Sequence, residues 1–231
     1  MWDDAAGLRK MTNGLLGLGL LLLVIGVLSY VLRLPAFALR TVQLDGAPRQ
    51  VDMAQLRTAA RNSLRGNFFT VDLDQARRIF EQLPWVRSVS VRRHFPWQLD
   101  VSLEEHKALA RWNAKELVNP QGEVFAAPDA EALPEFTGPN DAAGEVVQRY
   151  TRFSEQLAPL GLGITQVNLS PRHAWQLRLS DGTVLELGRE QMEERLARFA
   201  ASYSQSLAAM NFQAKYVDLR YRNGFAARTA G

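Results

Sequence analysis

Most of this chain spaces its apolar residues at intervals, but residues 15–32 form one unbroken run, LLGLGLLLLVIGVLSYVL, without a charge. A helix over that run is about 27 Å long. A bilayer's hydrocarbon core is ~30 Å thick, and Asn13, Gly14 and Arg33 complete the crossing. The pattern predicts a transmembrane helix over 13–33 behind a polar tail at 1–12. A cleaved signal is the competing reading, with Ala36-Phe37-Ala38 as its cleavage site. The run is longer than a signal's apolar region, that site lies beyond Arg33, and the tail mixes Asp3, Asp4, Arg9 and Lys10. These features favour an anchor. Arg9 and Lys10 on one side balance Arg33 and Arg40 on the other, so basic residues leave the orientation open.

Residues 39–106 predict strand, helix, helix, strand, strand. Leu39–Leu44 alternates up to Asp45-Gly46, with Val42 and Leu44 inward. Asp52 with Gln55, and Asp72 with Gln75, place an N-cap and its third-position partner before two short helices. Val51 can staple to Leu56. The first helix turns Met53, Leu56, Ala60 and Leu64 to one face and stops at Arg65-Gly66-Asn67. The second turns Leu73, Ala76, Phe80 and Leu83 inward and stops at Pro84. Val89 and Val91, then Trp97, Leu99, Val101 and Leu103, alternate with polar residues around a turn near His94-Phe95-Pro96, as in a hairpin with one buried face.

Residues 107–231 predict a mixed β unit with two longer helices. Short strands at 108–112, 116–118 and 124–125 flank a turn at Asn119-Pro120-Gln121-Gly122. Residues 126–144 read as loop. Val146, Tyr150, Phe153, Leu157 and Leu160 then recur at helical spacing up to Gly161. Ile164, Val167 and Leu169 start an extended run. Trp175, Leu177 and Leu179 lead into an Asp181-Gly182 hairpin and on to Leu185 and Leu187. Met192, Leu196, Phe199, Tyr203, Leu207 and Met210 make the stripe of a long helix, with Glu190, Glu193, Glu194, Arg195 and Arg198 on its solvated side. Tyr216–Arg222 is predicted as the last strand, ended by Asn223-Gly224. Val217, Leu219 and Tyr221 take one face, and Asp218, Arg220 and Arg222 the other. The fold class expected is therefore α+β behind one membrane helix.

The chain has no Cys, which removes disulfides, thiolate zinc sites and cysteine nucleophiles. Its net charge of +3 is spread thinly. Arg87, Arg92 and Arg93 on one strand read as a solvated face, so nucleic-acid binding has no clustered footprint. The three His, at 94, 106 and 173, never take metal-ligand spacing. No phosphate-binding glycine loop or nucleophile elbow is found. Glu104 and Glu105, as strand neighbours, point to opposite faces and cannot share a substrate. The pattern calls for no enzyme activity, cofactor, metal or small-molecule substrate. It suits a tethered binding module whose final strand accepts a partner strand, with Arg220, Tyr221 and Arg222 as contacts. The competing view is that these arginines only blunt an exposed edge.

Five segments carry a family resemblance: Leu83-Pro-Trp-Val-Arg-Ser-Val-Ser-Val-Arg92, Ala110-Arg-Trp-Asn113, Trp175-Gln-Leu177, Arg195-Leu-Ala-Arg-Phe199 and Tyr216-Val-Asp-Leu-Arg-Tyr221. In this order behind one anchor, the chain resembles the FtsQ/DivIB family of bacterial cell-division proteins. The resemblance implies a POTRA domain at 39–106 and the family's partner-binding β domain at 107–231. It implies a non-enzymatic divisome scaffold that links early and late division proteins, enriched at the septum. It sits in the inner membrane as a single-pass protein, with the tail cytoplasmic and the bulk periplasmic. Implied partners are FtsB and FtsL at the β domain, and divisome proteins such as FtsK, FtsA and FtsW/FtsI through the POTRA domain, tail or membrane helix. By the same resemblance the partner-binding residues are Arg172, Leu219, Arg220, Tyr221, Arg222, Asn223 and Gly224, with Arg172 set to pair with a partner acid. The chain departs from the family pattern at Arg222, Asn223 and Phe225. The alternative is another membrane-anchored POTRA-containing transport or assembly factor. Such factors lead into a β-barrel, whose repeated strands of about 9–11 residues do not follow residue 107.

Overall fold

A computed structural model describes residues 5–32, 34–46, 48–64, 66–128, 132–203, 215–221 and 224–228. The chain forms two units, Met1–Glu105 and His106–Gly231.

The first unit begins with helix α1, Ala5–Leu32. The helix starts inside the segment expected as a polar tail, because nothing between Ala5 and Asn13 breaks it. The eighteen most apolar residues in its stretch Arg9–Leu32 have a mean hydropathy of 2.7, and none of them is buried within the protein. An apolar helix exposed all round suits lipid, not water, so α1 fits a single-pass membrane protein. Arg33 lies outside the described residues.

Beyond a 3-10 turn at Pro35–Phe37 come β1 (Thr41–Asp45), α2 (Met53–Ser63), α3 (Leu73–Phe80), β2 (Val86–His94) and β3 (Gln98–Glu105). This is the β-α-α-β-β order expected of a POTRA domain. The sheet order is β1-β3-β2, with β1 parallel and β2 antiparallel to β3. Both caps form: the Asp52 carboxylate accepts from the Ala54 N–H at 2.8 Å, and that of Asp72 accepts from the Gln75 N–H at 2.9 Å. Val51 and Leu56 are both buried.

Five local expectations need correction. The buried face of α2 runs through Leu56 and Ala59, whereas Met53 is exposed. The helix ends at Ser63, ahead of Gly66, and Arg65 lies outside the described residues. Helix α3 ends at Phe80, four residues before Pro84, and Trp85 then turns the chain at φ 68° with its indole buried. Left-handed backbone costs a non-glycine residue roughly 1–2 kcal/mol, which burial of so large an apolar surface offsets. Trp97, expected inward, is exposed: β3 starts only at Gln98, and the indole lies under the Arg40 guanidinium at 5.0 Å. Val42 on edge strand β1 also stays exposed.

Glu104 and Glu105 do point apart. Glu104 takes Arg87 at 2.7 Å. Glu105 accepts the N–H groups of Arg49, Gln50 and Val51 at 3.0, 3.0 and 2.9 Å, and so pins the loop before α2.

The second unit is a nine-stranded sheet. In chain order its elements are β4 (Ala110–Trp112), β5 (Glu116–Val118), β6 (Val124–Phe125), β7 (Glu135–Thr137), α4 (Ala143–Leu157), β8 (Ile164–Leu169), β9 (Trp175–Leu179), β10 (Val184–Gly188), α5 (Met192–Ser202), β11 (Tyr216–Asp218) and β12 (Ala226–Arg228). The spatial order is β12-β11-β10-β9-β8-β7-β4-β5-β6. Phe153 and Leu157 of α4, and Leu196 and Phe199 of α5, join Leu177, Leu185 and Val217 in one core. Leu207 and Met210, expected on the α5 stripe, lie outside the described residues.

Strand β7 falls within the segment expected as loop. It pairs in parallel with both β4 and β8, and Asn113 clamps its end by exchanging two hydrogen bonds with the Gly138 backbone at 3.0 and 3.1 Å. Helix α4 starts inside the same segment.

Burial pushes the Glu105 carboxyl up, but three backbone N–H groups and the Arg49 charge outweigh it and hold the pKa below the usual value of 4.5. A depressed folded pKa contributes stability that is present above the unfolded value and is lost as pH falls through the folded one. The Val51 amide NMR resonance is expected to titrate with a midpoint below 4.5, and Glu105→Gln to abolish that titration. The same substitution is expected to cost about 1 kcal/mol at pH 7, limited by solvent screening, and nearly nothing once the wild-type carboxylate is protonated.

Candidate partner-binding edge

The expected contact residues cluster at one end of the second sheet. Strand β11 runs parallel to β10 with Glu186 opposite Asp218. Residues 219–221 therefore continue toward the Gly188 end of β10. Gly188 pairs with Trp175 at the start of β9, so the β8–β9 turn lies at that same end. Arg172 sits exposed in this turn, which is closed by His173 N–H to Ser170 O at 2.8 Å and Ser170 N–H to Ala174 O at 2.9 Å. The structure thus brings Arg172 and Arg220, far apart in sequence, to one end of the sheet.

Strand β11 stops at Asp218, four residues earlier than expected. Leu219 still donates its N–H to Glu186 O at 2.9 Å and is fully buried. Tyr221, expected on the same face as Val217 and Leu219, is 58% exposed because the chain has left the ladder. Gly224 is exposed, and nothing lies within 4 Å of where a Cβ would stand. Arg222 and Asn223 lie outside the described residues.

The larger correction concerns which strand is last. Strand β12 pairs antiparallel with β11, matching Tyr216 with Arg228, Val217 with Ala227 and Asp218 with Ala226. The edge of β11 expected to be open is filled by the chain itself. The outermost described strand is β12, and Ala226 and Arg228 are exposed on it. Phe225 anchors its start by an edge contact with Phe199, at 6.0 Å between ring centres.

Arg220 is already engaged. Its Nε and Nη2 donate to the two oxygens of Asp218 at 2.9 and 2.6 Å, and its own N–H reaches Oδ1 at 3.0 Å. Side-chain hydrogen bonds from Arg220 outweigh partial burial and lower the Asp218 pKa, and the same pair raises that of Arg220. Both groups stay charged through the neutral range. Two shallow grooves flank the pair. One of about 290 Å³ is lined by Ala174, Glu186, Gly188 and the cations Arg189, Arg195 and Arg220. The other, of about 230 Å³, is lined by Leu219, Gly224, Phe225 and the α5 residues Arg195, Arg198 and Ala201. Gly188 is needed here: its φ is 77°, and a Cβ would stand 2.9 Å from Arg195 Nη1.

Sequence reasoning treated Arg195 as part of a solvated face. In the structure it is half-buried and donates to Leu187 O at 2.6 Å, between the two grooves. The tie is not legible from helical periodicity, because its acceptor is a backbone carbonyl eight residues upstream. The edge presents grooves, cations and an exposed strand, which suit recognition. Among the described residues no three His, Cys, Asp or Glu side chains could jointly hold a metal ion. His94 is exposed beside Asp100, and His106 stacks on Phe125 at 4.1 Å.

Comparison with known proteins bears on both units. Residues 37–106 match the family model "POTRA domain, FtsQ-type", and residues 110–220 match "Cell division protein FtsQ/DivIB, C-terminal". The chain is 42% identical to "Cell division protein FtsQ" of Nitrosospira multiformis, over 99% of both chains. It is also 42% identical to the protein of that name from Burkholderia pseudomallei, over 100% of this chain and 95% of that one. With the Bordetella pertussis protein it shares 34% identity over 100% of this chain and 93% of the other. With both units matched and relatives aligned along its whole length, this chain belongs to the FtsQ/DivIB family of cell division proteins.

Proposed function

We propose that this chain is a non-enzymatic divisome scaffold that links early and late division proteins and captures FtsB, in complex with FtsL, by strand addition at the end of its second sheet. The observation that carries the reading is the outer edge of β12, unpaired among the described residues and bearing Ala226 and Ala227. Two of its three side chains are alanine methyls, with Arg228 the one charge on the strand; a sheet edge so thinly shielded is a template for an incoming strand, and main-chain hydrogen bonds then supply affinity while side chains set specificity. This moves the docking strand from β11, as first expected, to β12. Tyr221 and Gly224, on the connection between the two strands, form the rim, and Tyr is a frequent interface anchor. Arg172 offers a rim charge: among the described residues it has no ion pair. Leu219 supports the site from the core, and Arg220 through Asp218. In this proposal the N-terminus is cytoplasmic, both units are periplasmic and the protein gathers at the septum. FtsK, FtsA and FtsW/FtsI are further partners of the POTRA domain, tail or membrane helix.

A fluorescent fusion is expected to form a midcell band that is lost when residues 226–228 are deleted; an unchanged band would reject the edge as the docking site. Tyr221→Lys is expected to weaken FtsB pull-down at least tenfold, about 1.4 kcal/mol or more, and to change folding stability by less than about 0.5 kcal/mol. Leu219→Ala is expected to behave oppositely at first, costing about 2–5 kcal/mol of stability in a denaturant melt as a buried leucine does. Arg172→Glu is expected to slow association with the FtsB/FtsL complex and to flatten its salt dependence in surface plasmon resonance, since rim charges act mainly on encounter rates.

A further inference from the structure

The first unit carries an aromatic surface that its own core does not use. Phe69, Phe95 and Trp97 are 40%, 68% and 41% exposed, although they come from two separate stretches of chain. Edge-on ring contacts run from Phe37 to Phe69 at 5.0 Å, from Phe69 to Phe68 at 5.2 Å and from Phe68 to Phe95 at 5.8 Å, and Trp97 follows Phe95 by two residues. Arg40 lies over Trp97, and Arg93 reaches across to donate to Phe68 O and Val71 O at 2.9 and 2.8 Å. The nearby acid, Asp100, is met by His94 at 3.2 Å. Exposed apolar patches on this scale mark an interaction surface.

The place of this patch follows from α1. The stretch Arg9–Leu32 has 24 residues, about 36 Å of helix. The excess over the ~30 Å hydrocarbon core, roughly one turn, is the polar Arg9–Thr12 stretch, and the charge-free run ends at Leu32 with Arg33 next in the chain, which puts Leu32 at the edge of the core. The Leu32 carbonyl accepts a hydrogen bond from the Asn67 side-chain amide. Asn67 Oδ1 in turn accepts from the N–H groups of Phe69 and Thr70, both at 3.0 Å. Phe68 N–H bonds Phe37 O at 2.9 Å, and Arg40 N–H bonds Trp97 O at 3.1 Å. The aromatic cluster is therefore tied to the same level as the helix end.

We propose that this surface docks on the bilayer, with Phe69, Phe95 and Trp97 seated in the headgroup–acyl boundary of the leaflet from which α1 emerges, and Arg40 and Arg93 set against lipid phosphates. Aromatic rings and long cationic side chains with apolar stems are the residues that settle at this boundary. The lipid is the occupant because α1 brings it within contact range of the cluster. The inference rests on α1 spanning the membrane and is independent of the FtsB/FtsL reading.

The test uses the full chain in phosphatidylethanolamine–phosphatidylglycerol vesicles. The absence of native Cys allows single environment-sensitive labels, at His94→Cys beside the cluster and at Gln82→Cys. Gln82 lies beyond the far end of β2, nine residues long, or about 30 Å from the tip. The label at 94 is expected to emit at shorter wavelength, be quenched by headgroup-proximal nitroxide lipid and resist aqueous iodide, with the label at 82 showing the reverse. Phe69→Asp with Phe95→Asp is expected to return the label at 94 to the aqueous signature. Equal aqueous signatures at both positions, or no change with the double substitution, would overturn the proposal. Co-flotation with vesicles after alkaline washing reports α1 insertion separately, so a failed anchor is distinguished from a failed docking surface.

Discussion

Main-chain hydrogen bonding in an open sheet must stop somewhere, and in the second unit the place where it stops determines what surface remains for another protein. The two ends of that sheet are unlike. At one end β6 is two residues long, Phe125 lies under the His106 ring, and the Asn119 side chain ties the adjacent turn through bonds to the N–H groups of Gln121 and Glu123 at 3.0 and 2.9 Å. At the other end β12 presents Ala226, Ala227 and Arg228, whose first two side chains are too short to screen backbone amides. Edge strands invite pairing unless they are shortened, covered or charged. Only the β12 end combines little screening with neighbouring grooves and cations.

The way the chain leaves β11 decides what those cations can do. Asp218 and Arg220, two apart on extended backbone, project to the same side and meet in a two-point ion pair. The guanidinium fork that would suit a partner carboxylate is thus already filled, and an incoming acid would have to displace Asp218. Arg195 is similarly occupied by Leu187 O. Arg172 remains, exposed on a neighbouring turn. In the proposed docking, affinity therefore comes from backbone pairing and apolar contact, while charge steers the approach. That division suits an edge whose own strand is three residues long and offers few side-chain determinants.

Much of this architecture is legible in the chain. The charge-free run is α1, Asp52 and Asp72 cap the helices they precede, and the alternation of Trp175, Leu177 and Leu179 matches their burial. What escapes a one-dimensional reading does so for physical reasons. Strand β7 buries only Phe136 and is held by parallel neighbours on both sides, so tertiary pairing creates it where local pattern predicts loop. Strand β12 reads Ala-Ala-Arg, without alternation, and exists because β11 offers it an edge. Trp97 carries an apolar alternation ahead of the point where β3 begins, so period alone assigns it inward, and Tyr221 continues that of Val217 and Leu219 after β11 has ended. The engagement of Arg220 by Asp218 depends on side-chain geometry that spacing does not fix.

A membrane helix leaves its final carbonyls without partners inside the helix, just as an open sheet leaves its edge amides. An unsatisfied carbonyl is costly at the membrane end of α1. At Leu32 the answer comes from within the chain, from an Asn67 amide whose oxygen is itself fixed by the following turn. That bond draws the 67–70 turn to the membrane end and carries Phe68 and Phe69 with it. Phe95 meets Phe68 edge-on, and the β2–β3 tip that carries Phe95 and Trp97 lies beside the start of β1, where Gln98 pairs with Thr41. A polar debt at a helix terminus thus selects which part of the domain faces lipid, and the apolar side chains at that position follow from the choice.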